Sequence, residues 1–258
     1  IKGAAIATVI SQAVVFIIFC YLMIFKKHTY ISLNLKNFTY DIKIFNKILK
    51  LGLPASLSMV IMSIGLFFYN SILNMSEYST SAIAAYSTAH RIEHLFFIPI
   101  ISIATSMVTL VGMFYGAKRL DLINKVISYG LKNAIAISCV FGLFFFTSSK
   151  FIFPLFTNDL GIIKIGIEYF KIFSFAIPLV TLTMICSRIM QGLGKAYPML
   201  IITSLRVIVI SCTLAYIFIE YLNKPLHFAW YAILISCIFS SLVASIWMIT
   251  IKKNIVLD

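Results

Sequence analysis

Seven apolar runs, each long enough to cross a hydrocarbon core of about 30 Å at 1.5 Å per residue, limit what this chain can fold into. They cover residues 3–25, 51–73, 81–115, 127–156, 162–190, 198–221 and 228–251. Continuous runs of this length exclude a membrane β-barrel, whose strands alternate over about ten residues. Only 11% of residues are charged and mean hydropathy is +1.03, where soluble domains carry about 25% charge. The predicted class is an all-α, polytopic integral membrane helix bundle.

The formal charge of +13 is distributed between the runs rather than gathered on one face, so the predicted partner is lipid and not nucleic acid. Lys26, Lys27, Lys36, Lys43, Lys47 and Lys50 follow the first run; Lys118, Arg119, Lys125 and Lys132 follow the third. Arg188 and Lys195 attend the end of the fifth, and Lys252 and Lys253 that of the seventh. The alternate connections are poorer in base: one carries Glu77, one mixes Asp159 and Glu168 with Lys164 and Lys171, and one holds Lys224. The positive-inside rule then puts Ile1 outside and the C-terminus in the cytoplasm of a plasma (inner) membrane. An odd number of spans, beginning at Ile1 without a basic signal-peptide region, reads as the downstream part of a longer chain. Within Asp41 to Lys50, Ile42, Phe45, Ile48 and Leu49 share one helical face, and the lysines lie largely on the other. That pattern predicts an interfacial helix on the cytoplasmic leaflet.

Pro54 and Pro198 are expected in first turns, where the missing N–H costs little. Pro99 and Pro178 fall inside the third and fifth runs, as hinge or kink positions that a moving bundle tolerates. Gly112-Met-Phe-Tyr-Gly116 is a G-x-x-x-G pair suited to close helix packing. Cys20, Cys139, Cys186, Cys212 and Cys237 lie in or beside apolar runs without metal-ligand spacing, and read as small packing residues.

Charge inside the third run carries the functional reading. His90-Arg-Ile-Glu93-His94 has the spacing of an inverted zinc-protease motif, but no second motif supplies a third ligand, so no metal site is assigned. At about 100° per residue Glu93 shares a face with Tyr86, His90 and Phe97, while Arg91 lies about 160° away with Ser87, His94 and Ile98. Either Glu93 faces a cavity and Arg91 a neighbouring helix, or the reverse; at outer headgroup level both would serve as anchors. Asn70, Tyr69 and Gln191 are further candidates for a polar lining, and Arg206 is read as snorkelling toward the cytoplasmic end of the sixth run. The substrate or ion pathway candidates are therefore Glu93, Arg91, His90, Tyr86 and Asn70. No P-loop, catalytic triad or paired carboxylate appears, and the chain is not read as an enzyme.

Three stretches carry a family resemblance. They are Gly52-Leu-Pro-Ala-Ser-Leu57 after the basic loop; the segment from Ala85-Tyr through Arg91-Ile-Glu93, with Pro99 and Gly112-x-x-x-Gly116-Ala-Lys; and Met190-Gln-Gly-Leu-Gly-Lys195 before Pro198. Together they resemble the C-terminal lobe of multidrug and toxic compound extrusion (MATE) transporters. The resemblance implies residues 1–26 as the last helix of an incomplete N-lobe, 27–50 as a cytoplasmic inter-lobe loop, 51–251 as a six-helix C-lobe and 252–258 as a cytoplasmic tail. It also implies export of amphipathic, often cationic, drug-like molecules, with H+ or Na+ as coupling ion, no other cofactor, and the missing N-lobe as partner. Sodium-coupled members carry a glutamate where this chain has Met62, and an aspartate in the region reading Pro178-Leu-Val180-Thr181. Coupling is thus expected through Glu93 or, preferably, through N-lobe acids. The alternatives are a lipid-linked oligosaccharide flippase, whose cavity needs several basic residues, and a non-functional fragment.

Overall fold

A computed structural model describes residues 2–24, 41–76 and 78–257. Among them, seven helices are long and apolar enough to cross a membrane: α1 (Lys2–Ile24), α2 (Ile42–Asn74), α3 (Ser79–Gly116), α4 (Leu120–Ile152), α5 (Leu160–Gly192), α6 (Tyr197–Tyr221) and α7 (His227–Leu257). Lys26, Lys27, Lys36 and Glu77, which enter the charge alternation, lie outside the described residues.

Contacts divide the chain into two units, Ile1–Phe45 and Asn46–Asp258. In the first, α1 exposes apolar side chains on every side, from Ile6 to Leu22. A helix apolar all round suits lipid or another membrane helix.

Two boundaries differ from expectation. The amphipathic segment after Asp41 is no separate interfacial helix, because α2 runs unbroken from Ile42 to Asn74 and carries Pro54 in its interior rather than its first turn. Residues 42–51 hold no glycine or proline, and the single proline beyond them removes only one backbone donor. At the other end α7 continues to Leu257, so Lys252 and Lys253 sit on a helix rather than a tail. No proline or glycine interrupts that stretch.

In the second unit α5 is the most buried helix and packs against α3, α4 and α7. Its start is capped by Asp159, whose carboxylate accepts from the N–H groups of Gly161 at 2.8 Å and Ile162 at 3.2 Å. Its end is a Schellman turn: Gly194 at φ +81° donates to the Gln191 carbonyl, and Lys195 donates to that of Met190. The same closure ends α3, with Lys118 in the left-handed conformation. The buried side chains form two clusters. One gathers Tyr69, Tyr169, Phe170 and Trp230; the other gathers Met107, Ile189, Met190 and Ile202. Each draws on opposite ends of successive helices, as an up-and-down bundle requires.

Both α3 and α5 stay continuous through Pro99 and Pro178. Pro178 deprives the Ser174 carbonyl of its intrahelical donor. Against that oxygen stands Gly142 of α4, where a Cβ would come within 2.8 Å. Only glycine lets the α4 backbone approach it. In α6 the helix alternates between α register (Tyr197–Ser204, Thr213–Tyr216) and wider π register (Leu205–Cys212, Ile217–Tyr221). Such widened turns change which side chains face inward, and they concentrate at functional sites.

Candidate functional site

The face of α3 carrying Tyr86, His90, Glu93 and Phe97 lines a cavity of about 410 Å³, a size that suits a drug-like molecule. His94 and Ile101 line it too, so the exposed arc is wider than one row of the helix. The wall from α2 includes Ser58, Met62 and Tyr69; that from α5 includes Tyr169, Val180, Thr183 and Arg188. Helix α6 contributes Thr203, Arg206 and Val207, and α7 contributes Ile233 and Ser236.

Glu93 is the centre of the arrangement. The residue is 5% exposed, its side chain enclosed by the protein. Its Oε2 lies 3.7 Å from Nδ1 of His90 one turn back, an ion pair only when the imidazole is protonated and too long for a hydrogen bond. Its Oε1 is buried without a hydrogen-bond partner. A buried carboxylate oxygen left unsatisfied is expensive, and ionisable groups inside membrane helices mark pathways or ligand sites by default.

Aromatic rings pack around this acid. Tyr86 sits 5.1 Å from Tyr69, 5.7 Å from Tyr169 and 5.9 Å from Trp230, ring centre to ring centre, and stacks over His90 at 6.3 Å. Tyr169 meets Trp230 edge to face at 4.9 Å. Tyr69 is held by donating its hydroxyl to the Ala229 carbonyl at 2.6 Å. Electron-rich ring faces beside a carboxylate favour an organic cation.

Not every sequence candidate joins this site. Arg91 is exposed and does not line the cavity, because the 3.6-residue period turns it away from Glu93. Asn70 does not line it either; its side-chain oxygen is buried without a partner next to Tyr69. Gln191 accepts a hydrogen bond from Nη1 of Arg188 at 3.1 Å. Gly112 faces the Gly192 carbonyl of α5, whereas a Cβ at Gly116 would meet nothing within 4 Å, so the close contact is between α3 and α5 glycines rather than within the G-x-x-x-G pair. Among the described residues no three His, Cys, Asp or Glu side chains converge on a metal position.

Three lining residues escaped the sequence reading. Tyr169 is one tyrosine of thirteen, and nothing in its neighbourhood marks it. Arg188 counted as a loop charge, but α5 runs one turn beyond it. Arg206 lines the cavity; it is the second residue of the π-register stretch Leu205–Cys212 of α6, where the 100° step no longer predicts direction. Met62 and Val180, where the family resemblance led to the expectation of acids, line the cavity with apolar side chains.

Helices of membrane-spanning length, with a cavity among them walled by aromatic rings and one buried acid, define the class: a multi-pass integral membrane protein. The family model MatE matches residues 54–217, and the chain belongs to the MATE family. It is 24% identical over 241 residues to a probable multidrug resistance protein NorM of Thermotoga maritima, covering 93% of this chain and 51% of that protein. A probable NorM of Bacillus thuringiensis is 26% identical over 263 residues, covering 98% and 55%. The outward-facing structure of a multidrug resistance MATE transporter superposes with a TM-score of 0.91 at 28% identity, over 98% of this chain and 56% of that one. The chain thus spans about half the length of the relatives it matches.

Proposed function

We propose that this chain is the C-terminal lobe, with the last helix of the N-lobe, of a secondary active antiporter that exports amphipathic cationic molecules. In this reading residues 1–26 close the N-lobe, 27–50 join the lobes on the cytoplasmic side, and 51–251 form the C-lobe. The protein resides in the inner membrane with its C-terminus in the cytoplasm. The observation that carries the proposal is Glu93, buried at a drug-sized cavity with one carboxylate oxygen unpartnered among aromatic rings. A cation docked there supplies the missing partner and lies against ring faces.

Coupling ion entry is assigned to H+ or Na+. The apolar Met62 and Val180 leave Glu93 as the acid of this cavity among the described residues, and N-lobe acids are the preferred coupling site. The flippase alternative gains Arg188 as a second lining arginine beside Arg206. A buried carboxylate at the same cavity opposes a pyrophosphate-bearing lipid, so the drug antiporter is preferred.

Efflux of a fluorescent organic cation from cells producing the complete protein tests the reading. Glu93→Gln should reduce efflux at least tenfold, the scale of a lost charged partner. Arg91→Ala should leave it unchanged. Undiminished efflux in Glu93→Gln overturns the assignment of this cavity.

A further inference from the structure

We propose that one face of α4 holds an anionic phospholipid, with its phosphate between Lys125 and Lys132 and an acyl chain along the apolar surface beyond them. The site is separate from the transport cavity, to which α4 contributes no residue. The face follows from the helical period. At about 100° per residue, Lys125, Tyr129, Lys132, Ala136, Leu143 and Lys150 fall within about 60° of one another. The opposite face, with Ile123, Ile127, Ala134 and Phe145, is buried in the bundle. Tyr129 is 75% exposed, Leu143 is 66% exposed, and both lysines are exposed.

Depth follows from the length of the helix. Its 33 residues rise about 50 Å, well beyond a hydrocarbon core of about 30 Å. From Lys132 to Lys150 the rise is about 27 Å. Over that distance the exposed face carries Ala136, Cys139, Val140, Leu143, Phe146 and Thr147, and the Thr147 hydroxyl donates to the Leu143 carbonyl at 2.9 Å. The hydrocarbon boundaries therefore fall near Lys132 and near Lys150. Lys125 stands about 10 Å outward of Lys132, at headgroup level, and Tyr129 lies between them at the interface where tyrosines concentrate.

Charge decides which lipid. Asp121 is the only acid on α4 and precedes Lys125 by four residues, the spacing of a helical ion pair. It is already occupied: Arg119 donates from Nε to Oδ1 and from Nη2 to Oδ2, each at 3.1 Å. No ion pair among the described residues includes Lys125 or Lys132. A headgroup of net negative charge supplies their counter-charge, whereas a zwitterionic headgroup brings a cation of its own. Flexible four-carbon stems let both ammonium groups converge on one phosphate. An acidic protein would satisfy the lysines but not the apolar run continuous with them; a phospholipid satisfies both.

Native mass spectrometry of the complete transporter, freed of lipid in detergent, tests this with phosphatidylglycerol and phosphatidylcholine of identical chains. Wild type should bind one phosphatidylglycerol about thirtyfold more tightly than phosphatidylcholine. Lys125→Gln and Lys132→Gln should each lower that preference about fivefold, and the double variant should abolish it while keeping the lipid-free melting temperature of wild type. Lys252→Gln combined with Lys253→Gln removes as much charge from α7 and should leave the preference intact. Excess glycerol phosphate, which has the phosphate without the chains, should not displace the lipid. A preference that survives the Lys125 and Lys132 double variant, an equal loss in the α7 pair, or displacement by glycerol phosphate overturns the site.

Discussion

The seam between α3 and α5 is built in two opposite ways. Near Tyr86 and Glu93 it is propped open by large rings, and the space behind them is the cavity. Near Gly112 it closes until backbones touch: a Cβ on Gly192 would lie 2.9 Å from the Val108 carbonyl and 3.1 Å from Val111 Cβ. The difference teaches that one helix pair divides its work along its length. Small residues at one end fix the spacing, and bulky residues at the other hold a polar gap that lipid-like packing would otherwise fill.

The closed end should be the more sensitive to added volume. Gly192→Val is expected to cost about 1–3 kcal/mol or more, because Val108 offers backbone rather than a flexible side chain to move. Thermal unfolding in detergent checks this, and an unchanged melting temperature breaks the comparison. At the open end the acid should matter to function and not to folding, so Glu93→Gln, poor in efflux, should melt no lower than wild type. A large drop would make Glu93 a structural member of the seam. Tyr69→Phe removes the hydrogen bond to Ala229 but keeps the ring, and should cost about 0.5–1.5 kcal/mol. The smallest effect is expected at Gly116→Ala, within about 0.5 kcal/mol, since open space surrounds that position.

Much of this was legible in the residues. Run length determines a spanning helix because backbone polar groups in lipid must be satisfied within the segment, and each of the seven runs is a helix among the described residues. The helical period put Glu93 with Tyr86 and His90 and turned Arg91 away from them. The same reasoning failed on α6, where the π register around Arg206 follows no pattern visible in the sequence. It also failed at Gly112, whose close neighbour stands eighty residues away on α5.

The sequence by itself thus determined class, spans and which residues share a face. Those properties depend on local backbone geometry and on the partition of side chains between water and lipid. The tertiary structure decided which face meets a cavity and which meets a neighbour. That outcome rests on contacts between distant segments, as where the Pro178-freed carbonyl of Ser174 meets Gly142, or where Tyr169, Arg188 and Arg206 come to line one cavity with Glu93. In a chain apolar nearly throughout, hydrophobicity does not rank one face above another, so packing alone selects among them.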